Sequence, residues 1–152
     1  MWAVDPQNDH AEGFIAYARN MLGNQFEELS ISLITDLSVD AGQERRDLPP
    51  DVKRNVLLML KELVNNALKH AQAKTISVRL HIGASALSLI VNDDGHGFYL
   101  SRTRPGGNGL SNLRKRAESI GAMFTMDSSP GGTTSTLIVP LPEPTIMRGS
   151  SA

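Results

Sequence analysis

The stretch Lys61–Ala73, KELVNNALKHAQA, decides the fold because it belongs to a long segment with a helical burial pattern. We predict one α-helix over Pro50–Ala71, since its apolar residues recur at the spacing that aligns them along one side of a helix. These residues are Val56, Leu57, Leu60, Leu63, Val64, Ala67, Leu68 and Ala71. The sequence therefore predicts a central helix that buries one face.

The polar side of this helix has an unusual composition. Glu62, Asn66 and Lys69 lie together there, with His70 at the edge. Asparagine is a poor helix former because its amide competes for nearby backbone groups. The pattern fits either a ligand site or a solvated face with i,i+4 pairs, and on this stretch alone the two interpretations are about equally supported.

Composition limits the class of protein. The 152 residues suit one domain with its own core, and a formal net charge of −1 argues against a nucleic-acid or polybasic membrane surface. The absence of cysteine excludes disulfides, thiolate zinc sites and a cysteine nucleophile. No apolar run reaches the roughly 20 residues that span a bilayer, and no signal peptide is recognisable, so we expect a cytoplasmic domain without membrane contact.

Periodicity predicts further helices and strands around the central helix. The helices are Asp9–Leu22 and Leu110–Ile120, and the strands are Leu29–Asp36, Thr75–Ile82, Leu87–Asn92, Ala122–Asp127 and Thr134–Val139. Asp9 is the expected N-cap of the first helix and Gly121 the stop of the last. Ser38–Leu48 is predicted to be a surface loop, and Asp93–Gly109 a second loop.

The loop that follows the third strand carries a second candidate site. In VNDDGHGF (Val91–Phe98), a strand of apolar residues runs into two closely spaced aspartates and glycines. Asp93 could accept a hydrogen bond from an exocyclic amine, while Gly95 and Gly97 would let the backbone approach a ligand. A tight Asp-Gly turn is the commoner fate of such a sequence.

Two more glycine-containing stretches complete the set. Pro105–Asn112, PGGNGLSN, leads into a helix, where free N–H groups form an anion site suited to phosphate. It is neither a Walker loop nor a Rossmann fingerprint, because no Gly-Lys-Ser/Thr follows and no strand feeds it directly. Pro130–Thr134, PGGTT, is a turn into the last strand and alone indicates only a hairpin.

Each of the four stretches alone is weak evidence for a function, but their order along the chain is specific. Helical E-x-x-x-N, D-x-G-x-G after a strand, G-x-G at a helix start and a final G-G-T resemble the sequence boxes of histidine-kinase-type (GHKL) ATPases over roughly Asp51–Pro142. The similarity is strongest to sensor kinases of two-component systems, especially those paired with NarL-type regulators. It implies the Bergerat ATP-binding fold, a two-layer α/β sandwich with a mixed sheet of about five strands and three helices on one face.

The resemblance implies ATP and Mg²⁺ as ligands and assigns residues near the phosphates. Glu62 matches the glutamate that orients or activates the group near the γ-phosphate. Asn66 matches the asparagine whose carboxamide oxygen binds Mg²⁺, a suitable ligand for that ion. Lys69 and His70 match a Lys-His pair near the phosphates, and Asn65 is expected to be helix surface.

The resemblance also assigns the base pocket. Asp93 matches the aspartate that accepts the adenine amino group, and Gly95 and Gly97 match the glycines that shape the pocket beneath the base. Thr133 matches the threonine that helps to fix adenine. Asp94 is expected to be an ordinary loop residue.

A lid over the phosphates is the last implied feature. Gly107, Gly109 and Leu110 match the lid hinge and the helix start that hold the phosphates. Only nine residues separate Gly97 from Gly107, so we expect a short and mobile lid.

The chain shows no phosphoacceptor histidine with an acidic neighbour in the expected context. The resemblance therefore implies a catalytic domain that acts on the dimerisation and phosphoacceptor domain of the same kinase, and through it on a response regulator. We expect residues 1–8 to be the remnant of a preceding helix or linker, 9–142 the catalytic domain and 143–152 a flexible tail. A stand-alone anti-sigma-type Ser/Thr kinase and a non-catalytic nucleotide-binding docking module are the alternatives. The N-terminal WAVDP argues against the first, and intact Glu62 and Asn66 argue against the second.

Overall fold

The described part of the chain contains three α-helices and five strands. The computed structural model describes residues 10–27, 29–71, 73–95 and 109–142. In order, the elements are α1 (Ala11–Phe26), β1 (Ser32–Val39), α2 (Pro50–Asn66), a π-helical turn (Ala67–Ala71), β2 (Thr75–Ile82), β3 (Ala86–Asp93), α3 (Gly109–Ser119), β4 (Met123–Ser129) and β5 (Gly132–Pro140).

The strands form one mixed sheet in the order β1-β2-β3-β5-β4. β1 and β2 are parallel because α2 crosses over between them, whereas the remaining neighbours are antiparallel. The register pairs Asp93 at the end of β3 with Ile76 on one side and Thr133 on the other. The candidate carboxylate is therefore held between two strands.

All three helices cover the same face of the sheet, as predicted. α1 packs on β1, α2 on β3 and α3 on β4. The inward side chains of the central strands are fully or almost fully buried, among them Ile76, Val78, Leu80, Ile82, Leu87, Leu89, Leu137 and Val139. The opposite face carries mainly short or polar side chains that are partly or fully exposed, such as Ser77, Arg79, Asn92 and Thr134. The open two-layer α/β sandwich is confirmed.

The loop before α2 differs from the prediction of a simple surface loop. Arg46 and Leu48 are buried in it. The Arg46 guanidinium donates hydrogen bonds to the backbone carbonyls of Gly83 (3.1 Å), Ala84 (2.6 Å) and Pro142 (2.6 Å). This loop is therefore a structural junction between the β2–β3 turn and the exit of β5.

The same loop supports the start of α1. His10 occupies the N-cap, but its side chain makes no capping hydrogen bond, and the expected N-cap, Asp9, lies outside the described residues. The first free N–H groups of α1, on Ala11 and Glu12, donate to the carbonyls of Arg46 and Glu44 at 3.0 and 2.9 Å. Backbone groups thus take the part of a capping side chain.

Several element boundaries shift relative to the periodicity. β1 lies three residues later than predicted, α1 continues four residues further to bury Phe26, and the end of the central helix is π-helical. Gly121 stops α3 as predicted, with a backbone φ of 67° that suits glycine. None of the helices among the described residues is long and apolar enough to cross a membrane.

Candidate functional site

The candidate site is a cleft where the C-terminal end of α2 meets β3, β5 and β4. The space between its walls is narrow and opens to solvent. The walls mix apolar and polar residues on both the helix side and the sheet side, and comprise Leu63, Asn66, Ala67, Val91, Asp93, Met126, Thr133 and Ser135. Three residues predicted from separate stretches of sequence, Asn66, Asp93 and Thr133, therefore line one cleft.

Asp93 is the buried acid of this cleft. Its side chain is only 6% exposed, although it stands at the very end of β3. The carboxylate accepts hydrogen bonds from the backbone N–H groups of Gly95, at 2.9 Å, and Thr133. Burial raises the pKa of Asp93, these two hydrogen bonds partly offset the rise, and the charge of Asp94 adds to it.

Thr133 and Gly132 complete the sheet side of the pocket. The Thr133 side chain is buried, and its hydroxyl pairs with that of Ser128 across the β4–β5 hairpin at 2.9 Å. Gly132 has a backbone φ of 148°, and a Cβ there would collide with the carbonyl oxygen of Asp93. The glycine therefore allows β5 to approach the end of β3 closely.

Met126 and Ser135 are wall residues that the motifs did not reveal. They face each other in the β4–β5 register, and Ser135 is 3% exposed. Ser135 interrupts the apolar inward positions of β5 two residues after Thr133, a signal that the sequence contained. Met126 gives no such signal, because only the pairing of β4 with β5 brings it to the cleft.

The predicted phosphate-end residues cluster at the end of α2. Asn66 is half-buried at the cleft, and Glu62 is half-buried one helical turn earlier on the same side. Lys69 and His70 follow in the π-helical turn, where the Lys69 side chain is exposed. This turn departs from the predicted α-helix directly after two asparagines, which are weak helix formers, and single π-turns are frequent at functional sites.

The two adjacent asparagines point to different neighbours. The Asn65 carboxamide oxygen accepts a hydrogen bond from Gln25 Nε2 at 2.8 Å, which ties α2 to α1. Asn65 was expected to be an ordinary surface residue of the helix, but it forms a contact between two helices. Asn66 lines the cleft instead, and its carboxamide supplies an oxygen of the kind that Mg²⁺ prefers.

The remaining predicted residues are only partly described. Gly95 begins the turn after Asp93 and donates to its carboxylate, whereas Gly97 and Gly107 lie outside the described residues. Gly109 and Leu110 open α3, as the helix-start assignment requires. Among the described residues, the cleft walls include neither this helix start nor Glu62.

Comparisons with known proteins show what this chain resembles. Residues 51–143 match the family described as "Histidine kinase-, DNA gyrase B-, and HSP90-like ATPase". A sensor-like histidine kinase of Chloroflexus aurantiacus is 41% identical over 90 residues, which cover 55% of this chain and 15% of that protein. The sensor protein VraS of Staphylococcus aureus is 29% identical over 115 residues, 74% of this chain and 33% of that protein.

A solved structure has the same fold. The histidine kinase domain of the blue-light activated histidine kinase from Erythrobacter litoralis superposes with a TM-score of 0.62 at 21% identity, over 84% of this chain and 65% of that one. The chain spans only 15% and 33% of the two sequence relatives, so it corresponds to one part of such proteins. By its match over residues 51–143, the chain belongs to the histidine kinase-, DNA gyrase B- and HSP90-like ATPase family.

Proposed function

We propose that this chain is the ATP-binding catalytic domain of a sensor histidine kinase. It would position ATP with Mg²⁺ for transfer of the γ-phosphoryl group to a histidine on a partner dimerisation domain. The observation that carries the proposal is the buried Asp93 carboxylate in the cleft beside α2. The names of the relatives, both sensor kinases, support it.

The base end of the site would select adenine. Backbone N–H groups already hold the Asp93 carboxylate in place. The carboxylate can therefore accept a hydrogen bond from the exocyclic amino group of adenine without moving. Leu63, Val91 and Met126 offer apolar walls for the faces of the base. Thr133, fixed through Ser128, would orient the edge of the base directly or through water.

The phosphate end would supply position and charge neutralisation. Bound Mg²⁺ would neutralise the charge that phosphoryl transfer develops on the phosphate oxygens. The Asn66 carboxamide would hold the ion, and Glu62, one turn earlier, would orient the incoming imidazole. Lys69 and the start of α3 would add positive potential near the phosphates.

A labelling experiment tests the division of labour between this chain and its partner. With γ-labelled ATP and Mg²⁺, residues 1–152 alone should acquire no acid-labile, base-stable phosphate. Addition of a dimerisation domain that carries the acceptor histidine should place the label on that domain, ready for a response regulator. The Asn66→Ala variant should keep its fold and lose the transfer.

Efficient labelling of a histidine in the chain alone would contradict this proposal. The residue to replace first would then be His96, which belongs to the loop predicted from the sequence and lies outside the described residues. If the Asn66→Ala variant transferred the phosphoryl group at the wild-type rate and with the wild-type dependence on Mg²⁺, Asn66 would not be a ligand of the metal ion.

A further inference from the structure

We propose that Asp94 is a positioning residue, which fixes the base end of the site relative to the phosphate end. One carboxylate oxygen, Oδ1, accepts hydrogen bonds from the backbone N–H groups of Lys74, at 2.8 Å, and Thr75, at 3.0 Å. In return, the Asp94 N–H donates to the Thr75 carbonyl at 3.3 Å. Together these three hydrogen bonds form the Asp94 contact. The inference rests on the proposed function, because it concerns how the two ends of an ATP site are aligned.

The Asp94 contact joins the two segments that carry the proposed ligands. On one side, Asp94 directly follows Asp93, the proposed adenine acceptor, and precedes Gly95, which donates to the Asp93 carboxylate. On the other side, Lys74 comes three residues after the π-helical turn Ala67–Ala71, which contains two proposed phosphate ligands. Displacement of residues 73–75 would therefore shift the π-helical turn relative to Asp93.

The surrounding structure makes this contact a defined geometric link. The Lys74 carbonyl accepts a hydrogen bond from the Ser32 N–H at 2.9 Å, which anchors the same residue to the start of β1. Ala73 is buried, and Ile76 is already paired with Asp93 in the β2–β3 ladder. Asp94 is the side chain that extends this pairing beyond the end of the ladder, to residues 74 and 75.

The contact requires an acceptor oxygen at this position, and the charge is a separate property. The N–H groups of Thr75 and Lys74, with the Thr75 hydroxyl, keep the pKa of Asp94 below its ordinary value, so it is ionised at neutral pH. An asparagine retains the Oδ1 acceptor without the charge, whereas an alanine removes both. The two substitutions therefore separate alignment from electrostatics.

The test compares ADP with adenosine, because adenosine contacts only the base end. Affinities of 1–152 for both ligands, with Mg²⁺ present, are measured by calorimetry or competition for wild type, Asp94→Ala and Asp94→Asn. Asp94→Ala should weaken ADP binding roughly tenfold and change adenosine binding less than about threefold. The reason is that misalignment of the two ends of the site weakens the binding only of a ligand that contacts both ends. Asp94→Asn should restore the wild-type ratio. Asn92→Ala, which removes an exposed side-chain bond to Thr134 on the outer face of the sheet, is the matched control and should change neither affinity.

Each other outcome overturns the proposal. Equal losses for ADP and adenosine in Asp94→Ala would indicate a merely structural role, and an Asn variant as weak as the Ala variant would show that charge matters and alignment does not. If Asp94→Ala does not fold, amide hydrogen exchange on the wild type tests the contact instead. The exposed Lys74 N–H should then be protected from exchange, and fast exchange there would exclude the contact. If wild type binds neither ligand, the proposed function itself fails, a result that differs from an unchanged affinity ratio.

Discussion

Gly132 is the residue where backbone conformation and the candidate site meet most directly. Its φ of 148° and the position that a Cβ would take, against the Asp93 carbonyl oxygen, both favour glycine. Gly132→Ala should therefore destabilise the chain by about 1–3 kcal/mol and displace Asp93 enough to weaken ADP binding. Urea denaturation and calorimetry measure the two effects.

The neighbouring glycine supplies the control for this substitution. A Cβ at Gly131 would meet nothing within 4 Å. Gly131→Ala should thus leave stability and ADP affinity close to wild type. Equal behaviour of the two variants would show that the close approach of β5 to β3 is unimportant for the site.

Asp93 also predicts a pH dependence of stability. Because burial raises its pKa in the folded chain above the ordinary 3.8, the folded state favours the protonated carboxyl. This stabilising contribution is fully present below pH 3.8 and is lost as the pH rises through the raised, folded-state pKa. An asparagine at this position does not titrate.

The corresponding measurement is urea denaturation of wild type and Asp93→Asn across the acid range. The stability of the variant relative to wild type should increase as the pH rises from below 3.8 to neutral. A difference that decreases over the same range would mean that the folded chain favours the ionised carboxylate. Nucleotide affinity should change in the opposite sense, because the variant loses an anionic acceptor.

At the residue scale, the sequence predicted the groups that belong to local motifs. Asp93, Asn66 and Thr133 were all identified, and the structure brings them to one cleft. Met126 and Arg46 could not be found in this way, because their surroundings come from segments distant in sequence. Methionine on a strand indicates only burial, and an arginine in a polar loop indicates solvent, until the pairing of the strands is known.

At the scale of elements, the loop between β1 and α2 has the largest unpredicted role. Arg46 donates to three carbonyls from two separate segments, the β2–β3 turn and the exit of β5. Lysine has a single ammonium group and cannot reproduce this planar, forked geometry. Arg46→Lys should therefore lower the free energy of unfolding by about 1–3 kcal/mol.

Arg45 is the matched control for this prediction. It precedes Arg46 and is exposed, so Arg45→Lys should change stability by less than about 0.5 kcal/mol. Urea denaturation of both variants gives the comparison. If Arg46→Lys were as stable as Arg45→Lys, the loop would not be the junction described above.

The bounds of a strand were predictable where buried apolar residues alternate regularly with polar residues along it. β2 was predicted with its observed bounds because four inward apolar residues alternate with polar ones. β1 was displaced by three residues because this edge strand is weakly buried and its pattern is correspondingly irregular. The π-helical end of α2 had no signal in the periodicity, since the apolar spacing continues through Ala67.

At the scale of the whole molecule, the resemblance implied a mixed sheet of about five strands, but neither it nor the periodicity was used to predict the order of those strands. Placing β5 between β3 and β4 requires non-local pairing, and that pairing puts Thr133 beside Asp93. The packing of all helices on one face then leaves the end of α2 over this strand pair. The fold therefore assembles the cleft from residues that the sequence separates by up to 72 positions, from Leu63 to Ser135.

The most direct test of the central claim, that this cleft binds adenine nucleotides through Asp93, is calorimetric titration of 1–152 with ADP and with GDP in the presence of Mg²⁺. Guanine presents a carbonyl where adenine presents an amino group, so it would leave the Asp93 acceptor unpaired. That loss costs about 1–3 kcal/mol, a preference for ADP of roughly five- to a hundredfold. Asp93→Asn should lose most of the preference. Equal affinities of the wild type for ADP and GDP, or an Asp93→Asn variant that binds ADP as tightly as wild type, would contradict the claim.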